Sequence, residues 1–196
     1  MNKETMTIFT AIYFLALVIQ IIIRAPFDRK RRQEKVTEQR FTSQEKAILL
    51  LLTLGGLILP IIYAATDWLD FADYQLPAWA GWVGALLAAA SLFVFWRGHV
   101  DLGANWSPTL EIHEKHELIR RGIYSLIRHP MYASQWILAL AQPLLIHNWI
   151  AGFMNLLAFI PFYVLRVKAE EQLMLEKFGD QYRTYMQKVG GVFPKL

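Results

Sequence analysis

Five apolar runs, each close to the shortest length that crosses a bilayer, constrain this chain more than anything else in it. They are Met6–Ile23, Ala47–Ala65, Trp79–Trp96, Met131–Ile146 and Trp149–Leu165. A hydrocarbon core ~30 Å thick calls for roughly 17–25 apolar residues per helix. Buried helices of a soluble protein are the alternative, but five runs almost without charge argue against it. At 55% hydrophobic residues and a mean hydropathy of +0.29, the 196-residue chain is also too apolar for an ordinary soluble domain. Two residues, His147 and Asn148, separate the last two runs, so these read as a tight antiparallel hairpin. The first run has no basic stretch before it and no small-residue cleavage site after it, and "RAPFDRKRR" follows directly. It reads as a retained span, not a signal peptide.

The basic residues set the expected orientation. Of the 20 lysines and arginines, eight lie in Arg24–Lys46, five in Arg97–Arg128 and six in Arg166–Lys195. The loop between the second and third runs has none and carries Asp67, Asp70 and Asp73. The positive-inside rule then puts the N-terminus outside and the C-terminus in the cytoplasm, in a cell (inner) membrane. It also accounts for the net charge of +4 without nucleic acid, because the cations flank apolar runs. With no cysteine there are no disulfides and no cysteine-based zinc site.

The expected fold is therefore all-α: an integral membrane protein of five transmembrane helices in a single domain, residues 1–196. Residues 1–96 supply three spans and a cytoplasmic connector (24–46). Residues 97–196 form the catalytic region, with a cytoplasmic loop (97–130), the hairpin (131–165) and a C-terminal helix (166–196). Within the connector, "RQEKVTEQRFTSQEK" reads as a solvated helix. His99 and His147 read as interfacial residues, and His113 with His116 lacks the further ligands that a metal site needs.

Two polar segments share the predicted cytoplasmic face and carry the chemistry. In "HELIRRGIYSLIRHPMYAS", Pro130 disfavours helix at His129 and suits the first turn of a new one. That first turn offers free N–H groups to an anion. Gly122 permits a turn ahead of Tyr124. Arg120, Arg121 and Arg128, taken singly, read as headgroup anchors. In "RVKAEEQLMLEKFGDQYRTYMQKV", Arg166 and Glu170 stand four apart on one helical face as the chain leaves an apolar span. Ionisable groups there are functional candidates by default. From Leu173 to Val189 the pattern reads as an amphipathic helix broken by "FGD" and packed on the other polar segment or on the membrane interface.

Together, "LGANWS", "HELIRRGIYSLIRHPMY" and "RVKAEEQLMLEKFGDQYRTYMQKV" resemble the isoprenylcysteine carboxyl methyltransferase family and, more distantly, the phospholipid methyltransferases. The resemblance covers Leu102–Pro194 and rests on "RHPMY" followed some forty residues later by an R-x3-EE…FG-x2-Y block. It implies a membrane methyltransferase that uses S-adenosylmethionine and releases S-adenosylhomocysteine. By position in the motifs, the cofactor-binding residues are His116, Glu117, Leu118 and Ile119 of "HELI", Tyr124 of "GIY", and His129, Pro130, Met131 and Tyr132 of "HPMY". The family's acceptor-side pair falls on Arg166 and Glu170. No G-x-G-x-x-G follows a strand, so the soluble dinucleotide-fold type of methyltransferase is excluded. No metal is implied.

The expected reaction is O-methylation of a carboxylate on a lipophilic, lipid-tailed acceptor that enters sideways from the membrane lipids. The nearest alternative is N-methylation of a phospholipid amine. A further alternative, of another class, is a non-enzymatic assembly factor or transporter subunit. A transporter would carry charge at mid-span. Here the strongest polar groups within the runs are neutral: Gln20, Gln135, Gln142 and Asn155.

Overall fold

The computed structural model describes residues 3–31, 36–40, 43–103, 110–113 and 117–195. Helix α1 runs Lys3–Arg31. The second apolar run is assembled from α2 (Ser43–Thr53), a π-helical turn (Leu54–Ile58) and α3 (Leu59–Ala65). Then come α4 (Ala78–Leu102), α5 (Pro130–Leu145), α6 (Trp149–Phe178) and α7 (Asp180–Lys188). Among the described residues, four stretches are long and apolar enough to cross a membrane: Thr7–Lys30, Lys46–Ala65, Ala78–Leu102 and Trp149–Phe178. The expected fifth span is α5, whose 16 residues extend ~24 Å. It falls short because the chain before Pro130 is committed to a non-helical turn.

One expectation fails outright. The connector is not a continuous helix: its Val36–Arg40 forms strand β1, paired antiparallel with β2 (Leu110–His113). The β-branched start "VT" fits an extended chain better than a helix. The other described elements are helices and turns.

Helix α5 sits at the centre, packed most extensively on α4 and next on α6. Small residues allow this: Ser91 Oγ donates to the Ser134 carbonyl at 2.8 Å. The core gathers Phe9, Tyr13, Leu138, Leu145 and Ile146. Large apolar side chains such as Leu15, Ile22, Leu50 and Leu86 point outward instead, as a lipid-facing surface requires.

The tight hairpin is observed, with Ile146, His147 and Asn148 between α5 and α6. Asn148 caps α6 by accepting from the Ile150 and Ala151 N–H groups at 3.0 and 2.9 Å, a contact worth about 1 kcal/mol. Its amide donates to the Leu69 carbonyl and to Asp73 Oδ1 at 2.7 and 2.8 Å, tying the hairpin to the acidic loop. Both histidines are enclosed by protein. His147 is buried against Tyr74 and Phe9, and His99 is fully buried between Phe27 and Phe95. Aromatic neighbours from α1, α4 and the acidic loop close over them.

Gly55 explains how the second span meets α6. A Cβ there would lie 2.6 Å from the Asn155 backbone nitrogen, so glycine lets the two backbones touch.

Candidate active site

The loop entering α5 is held in shape by one carboxylate. Asp101, at the end of α4, accepts from Arg97 Nη2 at 2.9 and 3.1 Å and from the Ile123 N–H at 2.8 Å. Gly122 has φ +59°, and a Cβ on it would strike Asp101 Oδ2 at 2.3 Å. The turn expected at Gly122 is therefore present, as a 3-10 turn (Gly122–Ser125) that buries Tyr124. From the other side, Tyr185 of α7 donates its hydroxyl to the Tyr124 carbonyl at 2.5 Å. The chain after α7 returns alongside: the Arg128 and His129 N–H groups donate to the carbonyls of Gly190 and Gly191 at 2.8 and 3.1 Å. Packing of the C-terminal helix on the first polar segment is thus observed.

Helix α6 does not stop at the end of its apolar run. It continues to Phe178 and carries two carboxylates into this loop. Glu170 Oε2 accepts from the Tyr132 hydroxyl at 2.7 Å. Arg166, itself buried, interacts with the Tyr132 hydroxyl and with Glu170. Glu171 Oε1 takes Arg128 Nη2 at 2.6 Å, Arg128 Nε at 3.2 Å and His129 Nε2 at 2.9 Å. His129 Nδ1 faces Glu170 Oε1 at 3.7 Å. Burial opposes charge on this imidazole, but its interactions as a donor to the Glu170 and Glu171 carboxylates overcome it and raise its pKa to about 9. At neutral pH His129 is a cation bracketed by two carboxylates.

Arg128 is therefore not a headgroup anchor. Its guanidinium joins α6 to the end of α7, donating also to the carbonyls of Met186, at 3.3 Å, and Val189. Arg120 and Arg121 stay exposed. Nor are the His129 backbone N–H and ring Nε2 spare donors for a ligand carboxylate, because Gly191 and Glu171 take them.

Most of the residues singled out in the sequence meet at a single cavity of about 680 Å³. Glu117, Leu118, Ile119 and Tyr124 line it, as do His129, Pro130, Met131 and Tyr132. Arg166 and Glu170 line it too. His116 lies outside the described residues. The polar end, around Tyr132 and Glu170, opens into an apolar chamber between α1, the second span and α6. Leu17, Ile21, Leu52, Leu57, Phe159 and Phe162 face that chamber.

Several residues in and beside the cavity were not legible beforehand. Glu171 stood in the "EE" doublet, which was the signal available for it. Tyr182 and Tyr185 come from α7, and Tyr13, Gln20 and Arg24 from α1. The α1 residues share a helical face but belong to an apolar run that carries no motif.

Residues 77–176, about half of the chain, match the model of the isoprenylcysteine carboxyl methyltransferase (ICMT) family. Among curated proteins, the protein-S-isoprenylcysteine O-methyltransferase of Schizosaccharomyces pombe is 33% identical over 81 residues, 41% of this chain and 34% of that one. A probable protein-S-isoprenylcysteine O-methyltransferase of Oryza sativa subsp. indica is 27% identical over 131 residues, 66% of this chain and 69% of that one. The chain thus spans about a third of the yeast relative and about two thirds of the rice one. A solved eukaryotic intramembrane Ras methyltransferase, ICMT, has the same fold at a TM-score of 0.52 and 21% identity, over 79% of this chain and 54% of that one. With its four apolar helices, the chain is an integral membrane protein.

Proposed function

The chain belongs to the isoprenylcysteine carboxyl methyltransferase family, and from that premise we propose that it methylates the carboxylate of an isoprenylcysteine-like, lipid-tailed acceptor with S-adenosylmethionine. One observation carries the reading. A polar pocket built from both motif segments is continuous with an apolar chamber inside the bundle. A water-soluble methyl donor and a membrane-borne acceptor need such a meeting place.

The residues fit the donor. Tyr124, Tyr132, Leu118 and Met131 offer an aromatic and apolar recess for an adenine, and Glu117 at its rim suits a polar group of the donor. Bound there, the cofactor supplies a methyl group on a sulfonium. Glu170 and Glu171 balance His129 and Arg128, so the recess does not confront that sulfonium with uncompensated positive charge.

The protein's part is positioning. A terminal carboxylate, pKa ~3.5, is ionised at neutral pH and needs no general base. One carboxylate lone pair forms the O–CH3 bond as the S–CH3 bond breaks, leaving a methyl ester and S-adenosylhomocysteine with no proton moved. Arg166 orients the carboxylate, and Glu170, braced by Tyr132, holds Arg166. Holding both reactants in line, away from water, supplies ~7–11 kcal/mol in favourable cases.

The acceptor enters laterally. Helix α1 packs on α4 and α2 packs on α6, whereas α1 and α2 share little packing although both line the chamber. The bundle sits in the cell membrane with the N-terminus outside and the polar pocket at the cytoplasmic face, as the basic residues dictate. Transfer of labelled methyl from S-adenosylmethionine to a membrane extract, followed by identification of the labelled product, tests the reading. A base-labile label on a lipidic acid is expected. Its absence with active, folded protein would refute the assignment.

A further inference from the structure

The apolar chamber has a floor. Its lining stops at Tyr13 on α1, at Leu57 on the second span, at Leu138 on α5 and at Asn155 on α6. Just beyond lies a closed polar node. The fully buried Tyr13 hydroxyl is 2.6 Å from the Gly56 carbonyl oxygen and 2.9 Å from Gln142 Oε1. The Gln142 amide, also fully buried, donates to the carbonyls of Gly55 and Ala151 at 2.9 and 2.7 Å. The π-helical turn at Leu54–Ile58 supplies two of those carbonyls. Every member has a partner in an environment where an unpaired polar group is costly, so the node is a stiff stop and not a yielding apolar plug.

The depth above this floor can be read along α6. From Arg166 to Asn155 is eleven residues, about 16 Å at ~1.5 Å per residue. From Glu170 it is fifteen residues, or about 22 Å. An extended carbon chain advances ~1.25 Å per bond, given a C–C bond of ~1.52 Å and an angle of ~111°. On that scale an S-farnesyl cysteine measures about 19 Å from carboxyl carbon to tail end, and an S-geranylgeranyl cysteine about 24 Å. Arg166 interacts with Tyr132 and Glu170, so a carboxylate it holds lies between those two levels; the farnesyl length falls between the two depths, and the geranylgeranyl length exceeds both.

We propose that Tyr13, braced by Gln142 and the π-helical turn, fixes the acceptor's tail at three isoprene units. The inference rests on the methyltransferase reading above. Leu17 lies one turn above Tyr13 on the same face of α1, so it sets the next shorter step.

The test uses detergent-purified protein, labelled S-adenosylmethionine, and N-acetyl cysteines carrying S-geranyl, S-farnesyl or S-geranylgeranyl tails. Wild type should favour farnesyl over geranylgeranyl by about tenfold or more in kcat/KM. Tyr13→Ala should shrink that gap to about threefold or less, and Leu17→Phe should cost farnesyl about tenfold while sparing geranyl. Tyr13→Phe keeps the ring and should keep the ranking, which separates loss of the floor from loss of a hydrogen bond. Equal use of the two longer tails by wild type overturns the proposal, as does an unchanged ranking in both Tyr13→Ala and Leu17→Phe. If no member is methylated, the proposed activity fails instead. Thermal stabilisation by the same three compounds then judges the floor alone: equal stabilisation by the two longer tails refutes it.

Discussion

The two ends of the cavity are built on opposite plans. At the polar end, α5, α6 and α7 converge on side-chain charge: Arg128 and His129 from one segment meet Arg166, Glu170 and Glu171 of α6. At the apolar end the walls are Leu17, Leu52, Phe159 and Phe162, and the polarity lies behind them, in backbone carbonyls held by Tyr13 and Gln142. Charge can gather at the first because the segments around it lie beyond the apolar runs. Deep in a bilayer, neutral donors closing on carbonyls satisfy the backbone without an ion. One end can therefore do chemistry and the other can measure length.

The contrast breaks most visibly at Glu171, which carries much of the polar end. Glu171→Gln leaves Arg128 and protonated His129 without their shared partner. Losing one member of such a pair should cost about 3 kcal/mol, the low end for buried pairs, since Glu171 keeps some solvent. That corresponds to a Tm lower by roughly 6–12 °C in detergent. An unchanged Tm would mean that Arg128 and His129 are held by other contacts and that the polar end is not organised by charge.

Within the polar end, acceptor and donor sides should separate. Arg166→Ala should lower turnover about a hundredfold, ~2.7 kcal/mol, with S-adenosylhomocysteine affinity nearly unchanged. Arg166→Lys should recover little of it, because a point charge does not replace a planar fork. Loss of cofactor affinity with turnover preserved at saturating donor would reverse the assignment. Tyr132→Ala, on the donor side, should weaken S-adenosylhomocysteine binding about tenfold, ~1.4 kcal/mol by calorimetry. Full affinity in that variant would move the donor away from Tyr132.

The same contrast governs what the sequence discloses. The polar end is built from short consecutive segments: "HELI", "GIY", "RHPMY" and "R-x3-EE" need only local spacing to be seen, and each contributes residues to the cavity. Partner choice within it was less visible. Arg166 and Glu170 are an obvious i,i+4 pair, but Glu171 and Arg128 lie 43 residues apart and pair only once α6 overruns its apolar stretch. The floor leaves no local mark. Tyr13, Gly56 and Gln142 come from three spans, and a tyrosine or glutamine in an apolar run looks the same whether it faces lipid or a carbonyl. The short α5 and the strand β1 were missed because period and composition report burial, not where a turn or a pairing interrupts it.

The smallest expected effect is a near-absence of change, in the pH profile of the rate. A carboxylate acceptor is ionised from about pH 5 upward, so the acceptor imposes no slope in the neutral range. His129 adds none there either: its pKa of about 9 keeps it protonated at neutral pH. Its folded pKa lies above the unfolded value of ~6.5, so the stability it contributes is complete below ~6.5 and is lost as pH rises through about 9. The rate should therefore vary less than about twofold between pH 6 and 8 and fall as pH passes 9, while Tm declines from about pH 6.5 and levels off near 9, and His129→Gln should flatten that decline in Tm. An amine acceptor with a pKa near ~10 must first lose a proton, and its rate would climb close to tenfold per pH unit across the same range. Its product would also survive mild base, which cleaves a methyl ester. A steep rise with a base-stable label would replace the carboxylate by a phospholipid amine, and Arg166, which repels an ammonium, would then need a role other than orienting the acceptor.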